Sequence, residues 1–488
     1  MLRRRLPLVV LVALGVGCTR LKDVPATTAS VTPASSSTPD AEASVAAVSS
    51  PSPTPVPATP TPAPTPAILL IAPGNAQDFA ADSIDITFQV TAPEGRKITD
   101  ASVQYDGSVI GSITGAGPVF KVPGWNPNVV NNLQEPPDTA TVPAGDHTIT
   151  ILAKDDKEAV GKLEFNFRKP LRIQGWQELT AMPGVTSHFA IFGDGAQPPA
   201  FMSLWGSVDG FENVVIPRTQ TYAFTPGGQG AWTEIKINGS SVPRAGYGTA
   251  LHPSGQLAYL IGGRTGNQDL RTLEVFSPLR KVAEQALSAM TNARRDAAAV
   301  YTSDNFVYAI GGTSGATPIY SVERVEMATD GNPKGDWKAR SDTQNARSGA
   351  NAVQQGNEIW LFGGGFRPIE AYDPATDQWK FLVGADGNVV GTPETWSHSL
   401  MVKVQDRLYF FGGEREDGSP VKNIYEFTPA TKRWRTIGPL PSSDTIPNAE
   451  IGATRLGGFF LGDSFYLMGG ISIPERLVTK RVFKGLTL

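Results

Sequence analysis

Five short apolar strands in this 488-residue chain each run into a pair of glycines. LAYLIGG ends at Gly262-Gly263, FVYAIGG at Gly311-Gly312, EIWLFGG at Gly363-Gly364, RLYFFGG at Gly412-Gly413 and SFYLMGG at Gly469-Gly470. The first glycines lie 49, 52, 49 and 57 residues apart. A fixed period of about 50 residues marks a repeat architecture built from supersecondary units. A degenerate sixth copy, FMSLWGS, carries Trp205-Gly206 in place of the pair, 56 residues before Gly262.

In each copy a strand of small apolar residues comes first, then the strand into the glycines, then a third strand and a fourth that usually holds a tryptophan. Tyr372 to Trp379 and Phe427 to Trp434 share a spacing of seven residues, while Tyr222 to Trp232 and Val325 to Trp337 are looser versions. This pattern resembles the kelch-repeat β-propeller, whose blades carry Gly-Gly after the second strand and spaced aromatics in the third and fourth. The resemblance covers Trp176 to Leu488 and implies six four-stranded blades. All ten glycines are then expected to be structural, because a strand that turns sharply beside its neighbour needs free φ and no Cβ. The aromatics are expected to fill the wedge between blades. Trp176 in GWQEL reads as a fourth strand with no preceding three, and RLVTKRVF reads as a third strand with no fourth. The N-terminal strand is therefore expected to complete the last blade, leaving no open sheet edge.

The N-terminus, MLRRRLPLVVLVALGVGC, has the form of an export signal: Arg3, Arg4 and Arg5, then an apolar run from Leu6 to Gly17. That run is too short for a helix to cross a bilayer's hydrocarbon core. Cys18, the only cysteine, follows directly and resembles the lipid-modified cysteine of bacterial lipoproteins, with Gly15 standing where that pattern has leucine. A signal peptide at 1–17 and a membrane anchor at Cys18 are implied. Residues 18–67, almost wholly Pro, Thr, Ser and Ala from Pro25 to Pro66, cannot bury enough apolar surface to offset their conformational entropy. They read as a disordered stalk, reaching on the order of 100 Å at roughly 3.1 Å per residue. Residues 68–170 change to alternation, with Ile84, Ile86, Phe88 and Val90 on one face, Ile149 with Ile151, and Leu163 with Phe165 and Phe167. About seven short strands suit a β-sandwich. The stretch PAGDHTITILAKDDKEAVGKLEFNF resembles the last two strands of bacterial immunoglobulin-like domains, although no Cys-Trp-Cys signature is present. The expected fold class is all-β throughout: an immunoglobulin-like sandwich at 68–170, then a six-bladed propeller at 171–488.

Charged residues make up only 18% and the net charge is −4, so no basic block attracts nucleic acid. A single cysteine leaves no disulfide framework and no thiolate metal site. No nucleophile elbow, zinc helix, phosphate-cradling loop or calcium loop occurs, so no catalytic residue, metal or cofactor is expected. In an antiparallel four-stranded blade, the loop after the second strand and the connection between blades open on the same face. That face collects Arg264, Phe366, Arg367, Glu414 and Arg415 after the glycines, and Arg244, Arg294, Arg295 and Arg347 ahead of the first strands. Arg244, Arg264, Arg294, Arg347 and Arg367 with Glu414 form the candidate ligand-binding set. Guanidinium forks bind carboxylates bidentately, so such a cup would take an acidic glycan or peptide. The alternative is structural: arginines hydrogen-bonded within the blades and neutralised by Glu394, Asp296, Glu414 or Glu450.

Copper-radical oxidases of the galactose oxidase type belong to the same superfamily. Here Cys18 lies outside the repeats, and the histidines are only His147, His188, His252 and His398. His188 and His398 fall at equivalent first-strand positions and read as structural residues, not metal ligands. A bacterial sialic acid epimerase is also a kelch propeller, for which Glu414 and His398 would be the acid/base pair. The favoured reading is an exported, lipid-anchored protein of the bacterial envelope, facing periplasm or cell surface. Its propeller would bind a glycan or surface protein without catalysis; a periplasmic sugar-modifying enzyme and a purely structural envelope role are the alternatives.

Overall fold

The computed structural model describes residues 63–487 except 75–76, 79–83, 106–107, 111–112, 114–116, 126–144, 170, 196–198, 210–214, 442–453 and 474–475. The export signal, Cys18 and the stalk up to residue 62 lie outside the described residues. What is described is strand and loop without a helix, and none of it is a helix long and apolar enough to cross a membrane. The described residues fall into two compact units, one ending at Lys169 and the other beginning after it.

In the first unit, alternation sets the buried faces. Strand Ile84–Thr91 buries Ile86, Phe88 and Val90 while the residues between them stay more open. It lies between Ala67–Ala72 and Val119–Trp125 in a three-stranded sheet. A five-stranded sheet runs in the order Gln77–Asp78, Val160–Lys169, Gly145–Asp155, Ile98–Tyr105, Ser108–Val109. Both sheets feed one core, in which Phe88 and Trp125 from the first meet Val103, Ile149, Ile151, Phe165 and Phe167 from the second. Trp125 stands edge-on to Phe167 at 5.4 Å, a favourable aromatic geometry.

In the second unit the described residues form six four-stranded antiparallel sheets. In chain order their first strands are Ala190–Gly193, Gly248–Leu251, Ala298–Tyr301, Ala350–Gln355, Leu400–Val404 and Gly457–Leu461. The sixth sheet takes its outer strand, Ile173–Glu178, from the other end of the unit, with Glu178 opposite Phe483 and Trp176 opposite Gly485. Trp176 is buried there and donates from Nε1 to Pro439 O at 3.0 Å. The third strand of that sheet is Val482–Thr487, which shares only Val482 and Phe483 with the RLVTKRVF stretch. Residues ahead of it are spent on the loop after Gly469-Gly470, where Ile471 bridges both Thr454 and Val478.

The glycine pairs are seams between sheets. Gly262 and Gly263 have φ of 64° and 97°, a region L side chains rarely adopt. A Cβ on Gly262 would lie 2.3 Å from Arg294 O of the next sheet, and Gly263 N–H donates to that same carbonyl at 2.9 Å. The same link recurs from Gly312 to Arg347 O at 2.7 Å and from Gly470 to Thr186 O at 2.9 Å, while in the fourth sheet Gly365, one residue past the pair, donates to Trp396 O at 2.9 Å. The degenerate copy keeps it, since Gly206 donates to Arg244 O at 3.1 Å while Trp205 takes a φ of 48°. Aromatics fill the space between neighbours: Trp434 of the fifth sheet meets Phe362 of the fourth edge-on at 6.1 Å, and Tyr308 of the third meets Tyr372 of the fourth at 5.9 Å.

Candidate functional site

Each connection into a first strand passes through one residue with a left-handed backbone: His188, Gly246, Asp296, Gly349, His398 and Arg455, with φ between 52° and 66°. Their peptides form a closed cycle of hydrogen bonds. Gly246 N donates to His188 O at 3.1 Å, Asp296 N to Gly246 O at 2.7 Å, and Gly349 N to Asp296 O at 2.8 Å. His398 N continues to Gly349 O at 2.8 Å, Arg455 N to His398 O at 3.1 Å, and His188 N returns to Arg455 O at 3.3 Å. Four of the six are not glycine, and such conformations persist only where the surroundings over-determine them. The girdle is that surrounding, because every link is a bond between consecutive sheets.

The four side chains of this ring converge on a cavity of about 90 Å³ that Thr249, Asn351 and Ser399 also line. His398 Nε2 lies 3.4 Å from Asp296 Oδ2 and accepts from Arg455 Nη2 at 3.2 Å. An accepting Nε2 leaves the proton of the neutral ring on Nδ1, which faces Ser397 Oγ at 3.1 Å. His188 pairs its Nδ1 with Ser187 Oγ at 2.8 Å and stands edge-on to His398, 6.4 Å between ring centres. Arg455 Nη1 donates to Glu414 Oε2 at 3.3 Å, and Arg476 Nη2 donates to Glu414 Oε1 at 2.5 Å.

Burial, the Arg455 cation and the neighbouring imidazole push His188 well below the ordinary histidine range. Burial and Arg455 also push His398 down, against the pull of Asp296 and Glu414. For Asp296 burial works to raise the carboxyl, yet His398, Arg455 and Arg295 outweigh it and hold the group below its usual value. At neutral pH the cavity therefore holds two neutral imidazoles between a carboxylate and a guanidinium.

The arginine cup does not assemble, and the reason is burial. Arg244, Arg294 and Arg347 are sealed from solvent and pair inside the sheets with Glu274, Glu323 and Glu370. Each also donates Nη1 to the carbonyl of a first glycine: Arg244 to Gly262 O and Arg294 to Gly311 O, both at 3.0 Å, and Arg347 to Gly363 O. The glutamates also accept backbone N–H groups of the entering loops, for example Gln344 N to Glu370 Oε2 at 2.8 Å. Arg264 reaches Asn267 O at 3.1 Å and Asp269 at 3.4 Å within its own loop. Arg367 is exposed, with Nε donating to Thr392 O at 3.0 Å. Glu414 joins the ring network. Of the proposed neutralisers, Asp296 lies between His398 and Arg295, Glu394 pairs with Arg415, and Glu450 lies outside the described residues.

Around the cavity the loops after the second strands expose apolar side chains: Ile216 at 56%, Tyr320 at 49%, Phe366 at 36% and Leu477 at 57%, each from a different sheet. Isolated bridges such as Arg295 to Thr313 and Ser397 to Glu414 tie these loops to the ring connections, so both open on one face. Arg347 lies 5.3 Å from the Phe366 ring centre, a cation–π contact. Of this apolar set only Phe366 is among the contact residues expected from the sequence. Arg455 is not among them, and the signal that marks it is spacing: all ring residues sit 14 to 17 residues before the first-glycine position of their repeats.

Among the described residues no cluster of three His, Cys, Asp or Glu is placed to hold a metal. No family model matches the chain. Curated relatives do: β-scruin of Limulus polyphemus is 26% identical over 151 residues, 28% of this chain and 15% of the relative. Kelch-like protein 23 of Homo sapiens is 22% identical over 213 residues, 43% of this chain and 36% of the relative. Rab9 effector protein with kelch motifs of Xenopus laevis is 29% identical over 131 residues, 25% of this chain and 32% of the relative. The matches thus span little more than a third of those relatives at most. They support a kelch-type propeller here, at low identity.

Proposed function

We propose that this is an exported, lipid-anchored protein of the bacterial envelope, in which a stalk and an immunoglobulin-like sandwich present a six-bladed kelch propeller as a non-enzymatic binding module. The observation that carries the binding role is that four loops after second strands each expose an apolar side chain, Ile216, Tyr320, Phe366 and Leu477. Exposed apolar groups gathered from separate loops are the usual anchors of a protein interface, so a surface protein is a better ligand than a glycan. The kelch relatives support a protein-binding module as well. A sugar-modifying enzyme that uses His398 and Glu414 is disfavoured by size, since the cavity at His398 is about 90 Å³, far below the roughly 300 Å³ at which small-molecule sites begin. It is also disfavoured by charge, because Glu414 is held by Arg455 and Arg476 and His398 Nε2 is engaged by Arg455.

The test is a binding screen of the full chain against envelope proteins and a glycan array, repeated with Tyr320→Ala, Phe366→Ala and Leu477→Ser combined. The triple variant should keep its thermal midpoint and lose binding at least tenfold; unchanged affinity would remove these residues from the interface. For the anchor, Cys18→Ser should move the protein from the membrane to the soluble fraction.

A further inference from the structure

We propose that His398 is a proton-operated latch that couples acidification to the loop carrying Leu477. Its consequence for docking rests on the function proposed above; the latch itself rests on the ring geometry.

Every packed element contributes to the surroundings of this imidazole. Ser397 faces Nδ1 from its own connection, Asp296 faces Nε2 from the third sheet with Arg295 3.9 Å from that carboxylate, and Arg455 faces Nε2 from the sixth. His188 approaches from the first sheet, and the Glu414 charge acts from the loop after Gly412-Gly413. With the ring neutral, the single lone pair on Nε2 serves Arg455, while Asp296 Oδ2 looks at the same nitrogen with no proton between them. Once a proton arrives, Nε2 becomes a donor. The contact with Asp296 turns into a charged hydrogen bond, and the contact with Arg455 turns into donor against donor, cation against cation. The imidazole thus exchanges one partner for the other.

Arg455 is the element that must then move: among the described residues its Nε has no hydrogen-bond partner, and Glu414 is its remaining hydrogen-bonded side chain, with the Asp296 carboxylate attracting it through space. Glu414 shares its other oxygen with Arg476, whose chain neighbour is the exposed Leu477. A continuous path His398, Arg455, Glu414, Arg476 therefore runs from the cavity to the apolar face. Linkage makes it reciprocal: a partner that displaces Arg476 must also change the proton affinity of His398.

The test uses NMR of the full chain with labelled histidine and leucine methyls and needs no ligand, so its outcome is independent of the docking proposal. At pH 7.5 His398 should be neutral with its proton on Nδ1. As the pH falls it should become an imidazolium, and the Leu477 methyls should shift with the same midpoint. His398→Asn, a residue that tolerates the left-handed backbone, should silence Leu477. Glu414→Gln leaves the ring residues intact and should let His398 titrate while Leu477 stays still. Arg455→Gln should move the His398 midpoint upward. A Leu477 response that is absent, or that survives in His398→Asn or in Glu414→Gln, would overturn the latch. So would a His398 midpoint indifferent to Arg455→Gln.

Discussion

Arg294 Nη2 lies 2.6 Å from Glu323 Oε1 with both side chains closed off from solvent. The same guanidinium holds Gly311 O and Ser321 O, while Glu323 accepts from Thr291 N and Asn292 N. The pair therefore ties the entering loop, the glycine seam and the third strand of one sheet together. Removing one partner strands a buried charge, which costs about 3 to 5 kcal/mol. Glu323→Ala should lower the urea midpoint accordingly, and Arg294→Met with Glu323→Leu should recover much of the loss. Equal destabilisation in the single and double variants would mean that the stranded charge is not the cause.

Gly311 and Gly315 separate two reasons for glycine. Both have positive φ, 59° and 61°, but a Cβ on Gly311 would lie 2.6 Å from Arg347 O, whereas one on Gly315 meets nothing within 4 Å. Gly315→Ala carries only the left-handed penalty of about 1 to 2 kcal/mol. Gly311→Ala must also push apart two sheets and should cost at least about 1 kcal/mol more. Unfolding of the two variants side by side measures the seam directly.

His188 and His398 give the fold a pH dependence of definite sign. Their folded values lie below the ordinary histidine value of 6.5, so the unfolded chain binds more protons in that window and stability rises with pH. Their contribution is complete above about pH 6.5 and is lost as the pH falls through the folded values. Asp296, also depressed, loses its contribution in the same direction at lower pH. A thermal midpoint that falls from pH 7 to pH 5, with a shallower slope in His188→Asn, is the expected result. A flat profile would contradict the burial of these imidazoles.

Trp176 anchors the borrowed strand through its buried ring and its bond to Pro439 O. Trp176→Ala should cost about 3 to 5 kcal/mol, as large as an equivalent change in the middle of the unit. A surface-like effect, within about 0.5 kcal/mol, would mean that the strand contributes little to closure.

Much of this was legible in the chain, and the part that was not has a physical reason. The glycine pairs recur because a Cβ would meet the neighbouring sheet, a carbonyl at Gly262, Gly311 and Gly469 and the Trp396 side chain at Gly363, so their period carries the geometry of the sheets. The orphan strand around Trp176 was visible because an unpaired edge has to find a partner. In the sequence Arg244, Arg294 and Arg347 look like candidate ligand contacts because the glutamates that bury them, Glu274, Glu323 and Glu370, lie in third strands 23 to 30 residues away. A charge pattern in one dimension does not show which charges meet. His188 and His398 were matched to equivalent positions, but Asp296 and Arg455 share no side-chain type with them. What unites the four is a backbone conformation, and residue identity does not record it.

The bond from Arg481 to Glu178 joins residues 303 positions apart, and it lies at the borrowed strand of the sixth sheet. Loop closure on that scale forms late in folding, so the strand synthesised earliest in this unit is the one that must wait longest for its partner. Before the last residues are in place, the first and last sheets can only be held provisionally. A chain cut short by a single strand would therefore lose the closure that holds the first sheet to the last, and proteases meeting a half-made molecule would find both flanks of that gap open together.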